Sequence, residues 1–252
     1  MKIVAIGGGE IGRPGYPIET ERIDREIFRL TGKRRPKVLF LPTASGDDPS
    51  YWEVFQRYYG QRLGCRTDVL YLLRQKPSLK EIKEKILSSD IIYVGGGNTL
   101  RMLRRWRQLG VDKALELAGK NGVILSGLSA GAICWFKYGV SDSRRFGPKK
   151  SNELIRLRGL GFIPYIGCPH YDVEKSRRPF LKKLIKEKGG FAIALENCSA
   201  LEVVDNRYRI ITSSPDAHAY RVFRRNNKVI EEPLPNDRRF RSLDMLPLVD
   251  SL

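Results

Sequence analysis

Only four cysteines, Cys65, Cys134, Cys168 and Cys198, occur in 252 residues, and no two of them form a C-x-x-C pair. That excludes a disulfide-built scaffold and a thioredoxin-type redox pair, and small core residues is the default reading of each. No Cys/His cluster has zinc spacing, so neither a metal nor a cofactor is expected. No apolar run approaches the roughly 20 residues of a membrane span. The apolar residues ahead of the first glycines are too few for a secretory signal. Together these absences point to a soluble, reduced protein of the cytoplasm. Acidic residues are also scarce, 28 against 46 Lys and Arg, for a net charge of +18. That charge raises nucleic acid as a partner. The basic residues, however, are spread over 33–37, 101–107, 144–150, 177–188, 221–225 and 238–241. No aromatic RNA-reading pattern, zinc finger or helix-turn-helix accompanies them, so solvated faces are expected and nucleic acid is not.

Apolar residues make up 41% of the chain, enough to bury a core. Short β-branched runs at 2–6, 37–43, 68–73, 91–97 and 122–131 alternate with helical patterns at 19–31, 49–64, 78–88, 98–108 and 111–119. A further helical stretch is read at 132–137. This rhythm predicts an α/β fold: a mostly parallel central sheet with helices on both faces. Strands are expected again at 162–167 and 191–196. The segments 199–212 and 219–231 read as antiparallel edge hairpins turning at Asp205-Asn206 and Asn226-Asn227. With no internal repeat or linker, residues 1–252 are expected to form one domain, its core about 1–230 and an irregular tail from 232 to 252.

Three glycine clusters follow strands. Gly7, Gly9 and Gly12 match the dinucleotide fingerprint G-x-G-x-x-G. That fingerprint needs an acid at the end of the second strand, which here reads Leu41-Pro42-Thr43-Ala44. A tight turn beside a site is the expectation instead. Gly95-Gly96-Gly97-Asn98-Thr99 opens a helix, where backbone N–H groups make an anion or oxyanion site. Gly127-Leu128-Ser129-Ala130-Gly131 fits G-x-S-x-G between a strand and a helix, the setting of a nucleophile elbow. Ser129 is the candidate nucleophile, and the Ala130 N–H is placed to donate to an oxyanion.

A serine nucleophile needs a base, and the chain has two histidines. His170 follows the strand at 162–167, whereas His218 reads as a surface-turn residue. For the carboxylate that orients His170, Glu196 at a strand end ranks ahead of Asp172 and Asp142. The order Ser, His, acid differs from that of α/β-hydrolases.

Taken together, IGGGE at the N-terminus, VGGGNTLRML (94–103), SGLSAGAI (126–133), CPHYD (168–172) and ALENCSAL (194–201) resemble the peptidase E (aspartyl dipeptidase) family. Cyanophycinase is a relative of that family, and its fold is related to class I glutamine amidotransferases. The resemblance covers roughly residues 1–230. It implies a serine peptidase of short peptides, a homodimer, Ser129 as nucleophile, His170 as base and Glu196 as acid. Gly97 and Ala130 match the oxyanion hole. Asn98 and Thr99 fall to substrate binding, with Arg177 and Arg178 to attract an acidic side chain at the substrate's N-terminal residue. Two other readings stay open: a non-catalytic protein binding nucleic acid or another polyanion, and an amidase on the same fold.

Overall fold

The apolar run at the N-terminus forms β1 (Lys2–Ile6), buried from Ile3 onward. In the computed structural model, which describes residues 1–147 and 150–246, the next elements alternate as their periodicity dictates. They are α1 (Glu21–Arg29), β2 (Lys37–Leu41), α2 (Pro49–Phe55), β3 (Arg66–Val69), α3 (Leu79–Leu87), β4 (Ile91–Val94), α4 (Thr99–Leu109), α5 (Val111–Lys120) and β5 (Ile124–Leu128). These strands pair in parallel in the order β1-β5-β4-β2-β3. Covered on both faces, β1, β2, β4 and β5 read as near-continuous apolar runs, whereas the edge strand β3 is polar and half-exposed.

The second half contributes α6 (Ala130–Ile133), β6 (Phe136–Ser141), β7 (Ile155–Arg158), β8 (Ile163–Cys168), α7 (Arg177–Lys188) and β9 (Phe191–Leu195). After these come β10 (Ser199–Val204), β11 (Arg207–Thr212), β12 (Ala219–Arg225), β13 (Lys228–Pro233) and β14 (Arg241–Ser242). The β10–β11 hairpin pairs antiparallel with β1, and β14 then extends this sheet to eight strands. A second, six-stranded sheet runs β13-β12-β9-β8-β6-β7, with only β6, β8 and β9 parallel. The fold is α/β, but its sheets are two and mixed, where one mostly parallel sheet was expected. Periodicity marks strands without saying which edge each one joins.

Local differences have local causes. The helix expected at 132–137 stops after four residues, because Leu160 N–H and Gly161 N–H donate to the Cys134 and Phe136 carbonyls. Phe136 then begins β6. The helix expected over 49–64 is α-helical only to Phe55, and residues 56–62 are π-helical. This wider turn brings adjacent Tyr58 and Tyr59 together onto buried Asp24, at 2.9 and 2.5 Å. Both hairpins turn where expected, with positive φ at Asp205, Asn206, Asn226 and Asn227. The tail is more ordered than expected: β14 pairs with β11, and Leu243 and Leu246 are buried in the core. Residues 247–252 of that tail lie outside the described residues.

One apolar cluster joins the two sheets, bringing Ile3, Leu39 and Leu125 together with Tyr165, Ile193 and Leu195. Another packs α1 and α2 on the opposite face of the eight-stranded sheet. Among the described residues no helix is long and apolar enough to cross a membrane.

Candidate active site

At the C-terminal end of β5 the chain turns sharply into α6. Ser129, at that turn, has φ 56° and ψ −110°, a conformation that costs a non-glycine residue on the order of 1–3 kcal/mol. Hydrogen bonds hold it there: Ser129 N–H donates to Ile6 O at 3.0 Å, and Ser129 O accepts from Ile133 N–H at 2.9 Å. Glycine is required on both sides. A Cβ on Gly127 would fall 2.6 Å from Val94 O, and one on Gly131 would overlap the same oxygen.

Ser129 Oγ lies 2.8 Å from His170 Nε2, and His170 Nδ1 lies 2.8 Å from Asn197 Oδ1. An amide oxygen only accepts, so Nδ1 carries the proton and Nε2 presents its lone pair to the serine hydroxyl. The three side chains leave β5, β8 and β9, and thus come from both sheets. What joins them is the end of β1. The consecutive carbonyls of Ile6, Gly7 and Gly8 accept from the N–H groups of Ser129, His170 and Cys198, at 3.0, 3.1 and 3.0 Å. A Cβ on Gly8 would overlap Asn197 Oδ1 and lie 2.5 Å from His170 Nδ1. The first glycine cluster therefore forms the turn beside the site that was expected, and Gly8, between Gly7 and Gly9, lies against the His170–Asn197 pair.

Asn197 was not among the residues singled out, and Glu196 does not take its place. Glu196 turns the other way, accepting from His218 N–H at 2.7 Å and Tyr220 O–H at 3.1 Å. Neighbouring residues of an extended chain point to opposite sides, so a shift of one residue decides which of them faces the histidine. Asp172 accepts from the Asn197 backbone N–H at 2.9 Å, supporting the pair from behind. Asp142 lies 3.9 Å from Arg177 and makes no hydrogen bond to His170.

The expected binding residues are also committed elsewhere. Asn98 caps α4, its side chain accepting from Arg101 N–H at 3.0 Å, and Thr99 is buried beside Ser141. Arg177 is 1% exposed, paired with Glu174 and donating to Val140 O. Arg178 lies over the rings of Tyr171 and Tyr220 and pairs with Glu231. Gly97, with φ 133°, packs against Ala44, where a Cβ would overlap the carbonyl oxygen, and lines a cavity next to the elbow. Ala130 opens α6. Among the described residues no hydrogen bond occupies the N–H of Gly97. Beside these groups lies a cavity of about 530 Å³, lined by Glu10, Ile11, Tyr51, Gly96, Gly97 and Leu128.

Burial lowers the His170 pKa below its ordinary 6.5, and the positive charge of Arg177 lowers it further; the Asn197 hydrogen bond opposes both. The imidazole is thus kept neutral, as a base must be. The cysteines carry no such activation. Burial pushes the Cys168 thiol up to about 12 and Cys134 well above its ordinary value.

Comparison with known proteins bears on what such a site belongs to. The sequence profile of peptidase family S51 matches residues 3–211. The chain belongs to this family. An S51 peptidase is accordingly an enzyme that acts on peptide bonds. Its relatives include a Bacillus subtilis protein named uncharacterized peptidase YgaJ, 40% identical over 242 residues, covering 93% of this chain and 97% of that one. The peptidase E of Streptomyces coelicolor is 25% identical over 193 residues, 73% of this chain and 74% of its own. Among solved structures, a peptidase from an acI-B1 Actinobacterium superposes with a TM-score of 0.69 over 96% of both chains at 20% identity. A peptidase E protein from Listeria monocytogenes gives 0.62, covering 84% of this S51 peptidase and 98% of that chain, also at 20% identity. At that identity the two structures establish a shared fold alone.

Proposed function

We propose that this S51 peptidase hydrolyses short peptides through an acyl-enzyme on Ser129, with His170 as base and Asn197 as its orienting partner. The continuous hydrogen-bonded line Ser129–His170–Asn197 carries this reading. His170 Nε2 takes the hydroxyl proton as Oγ bonds to the scissile carbonyl carbon. The N–H groups of Gly97 and Ala130 receive the developing oxyanion. His170 then gives its proton to the leaving amine as the C–N bond breaks. Water attacks the ester with its proton passing to Nε2, and the acid product departs as Ser129 recovers its hydrogen. An asparagine suffices to hold the histidine, as it does in Cys–His–Asn peptidases.

An acidic residue at the substrate's N-terminus finds no partner in Arg177 or Arg178, which serve the fold, so the reading does without that preference. The test is a serine-directed phosphonate followed by peptide mass mapping. A single adduct on Ser129, absent after Ser129→Ala, supports the mechanism; an inhibited enzyme modified elsewhere overturns it.

A further inference from the structure

The outer face of α4 carries arginines that neither the core nor the proposed chemistry uses. Met102, Leu103 and Trp106 bury one side of the helix, while Arg101, Arg104 and Arg105 stand at i, i+3 and i+4 on another. With Arg144 they line a groove of about 1180 Å³. Two of the guanidinium groups are oriented by backbone: Arg101 donates to Ala44 O at 2.9 Å and Arg105 to Leu72 O at 2.7 Å. A carbonyl aims a guanidinium without cancelling its charge. Among the described residues Arg101, Arg104 and Arg105 enter no ion pair, and the single carboxylate in the lining, Glu153, is paired with Arg144. Like charges gathered in one groove repel one another until an anion enters.

The groove and the smaller cavity beside Ser129 share one turn, Gly97 lining the second and Asn98 the first. A peptide passing from the cavity over that turn would meet the arginines. We propose that the groove binds acidic side chains of the peptide substrate some residues away from the scissile bond, an inference that rests on the peptidase reading. Guanidinium forks match carboxylates in bidentate pairs, and Leu73 and Leu100 add apolar lining to the groove. The lining contains no aromatic ring on which bases could stack, which favours an acidic polypeptide over a nucleic acid.

The test measures binding in the full chain carrying Ser129→Ala, so that nothing is turned over. The probes are a fluorescently labelled oligoglutamate peptide, a Gly/Ser peptide of equal length and single-stranded DNA of equal charge. The oligoglutamate is expected to bind more tightly than the Gly/Ser peptide and to weaken as salt is raised. Arg104→Glu should weaken it at least about tenfold, and R104E/R144E further. Arg104→Gln, which removes the charge and reverses nothing, should lie between. Arg34→Glu, on the loop ahead of β2, is the control and should leave it unchanged. Equal affinity in R104E, equal binding of the neutral peptide, or tighter binding of the DNA each overturns the proposal. Since no hydrolysis is read, failure here leaves the acyl-enzyme standing, and a missing Ser129 adduct leaves this binding result standing.

Discussion

Asn197 Oδ1 accepts the Nδ1 proton of His170 across 2.8 Å, and this bond points Nε2 at Ser129. A neutral amide fixes tautomer and ring orientation as a carboxylate would, but adds little charge to stabilise the imidazolium. That accords with a histidine pKa displaced downward.

Replacing Asn197 by alanine should therefore lower kcat at least about a hundredfold, since the ring loses its tautomer and its aim. Glu196→Gln should cost less than about tenfold, because its carboxylate holds His218 N–H and Tyr220 O–H and not the imidazole. Steady-state kinetics on one short peptide compares the two; a larger loss from Glu196→Gln would reverse the assignment.

Activity should fall as pH drops through the His170 pKa, because only the neutral ring accepts the serine proton. Burial and Arg177 both lower that pKa, so the acid limb of kcat/KM is expected below pH 6.5. Asn197→Asp places a carboxylate beside the imidazolium and should move the limb to higher pH. A pH–rate profile of both proteins checks the order of the two limbs.

Gly8→Ala should reduce activity at least about tenfold while leaving most of the structure in place. The added methyl enters the space of Asn197 Oδ1 and His170 Nδ1, so the pair must separate. Circular dichroism alongside turnover distinguishes this from unfolding, and a variant of wild-type rate would show that the pair has room to shift.

Buried Asp24 accepts hydrogen bonds from Thr20, Tyr58 and Tyr59 and has no cation among them; burial pushes its carboxyl up to about 6. Its stabilising contribution is full below the ordinary 3.8 and is lost as pH rises through about 6. Such a displacement corresponds to roughly 3 kcal/mol. Denaturant unfolding of wild type and Asp24→Asn should show their stability difference shifting toward the variant between pH 4 and 7. A difference constant over that range would mean the carboxylate does not titrate there.

Much of the site was legible because its chemistry needs local patterns. Gly127 to Gly131 reads as an elbow since only glycine passes so close to Val94 O. His170 follows from scarcity and from its place after a strand. Asn197 was hidden because a carboxylate was sought in the third place, and the neighbouring Glu196 supplied one. The signal that could have found it is the acceptor oxygen of the next residue together with Gly8, the small residue the pair requires.

The sequence by itself determined the order of strands and helices as far as β5, the two asparagine-containing hairpin turns, and the elbow, serine and histidine of the candidate site. Each rests on neighbours a few residues apart, so periodicity, turn chemistry and glycine spacing reveal it. Only the tertiary structure decided that the strands divide into two mixed sheets, because edge pairing depends on contacts distant in the chain. It alone decided that three successive carbonyls at the end of β1 gather residues 129, 170 and 198 from two sheets. The same packing turned Asn197 inward and Glu196 outward, and drew Arg177 into the protein, since which side of a chain faces a site is fixed by what packs against the other.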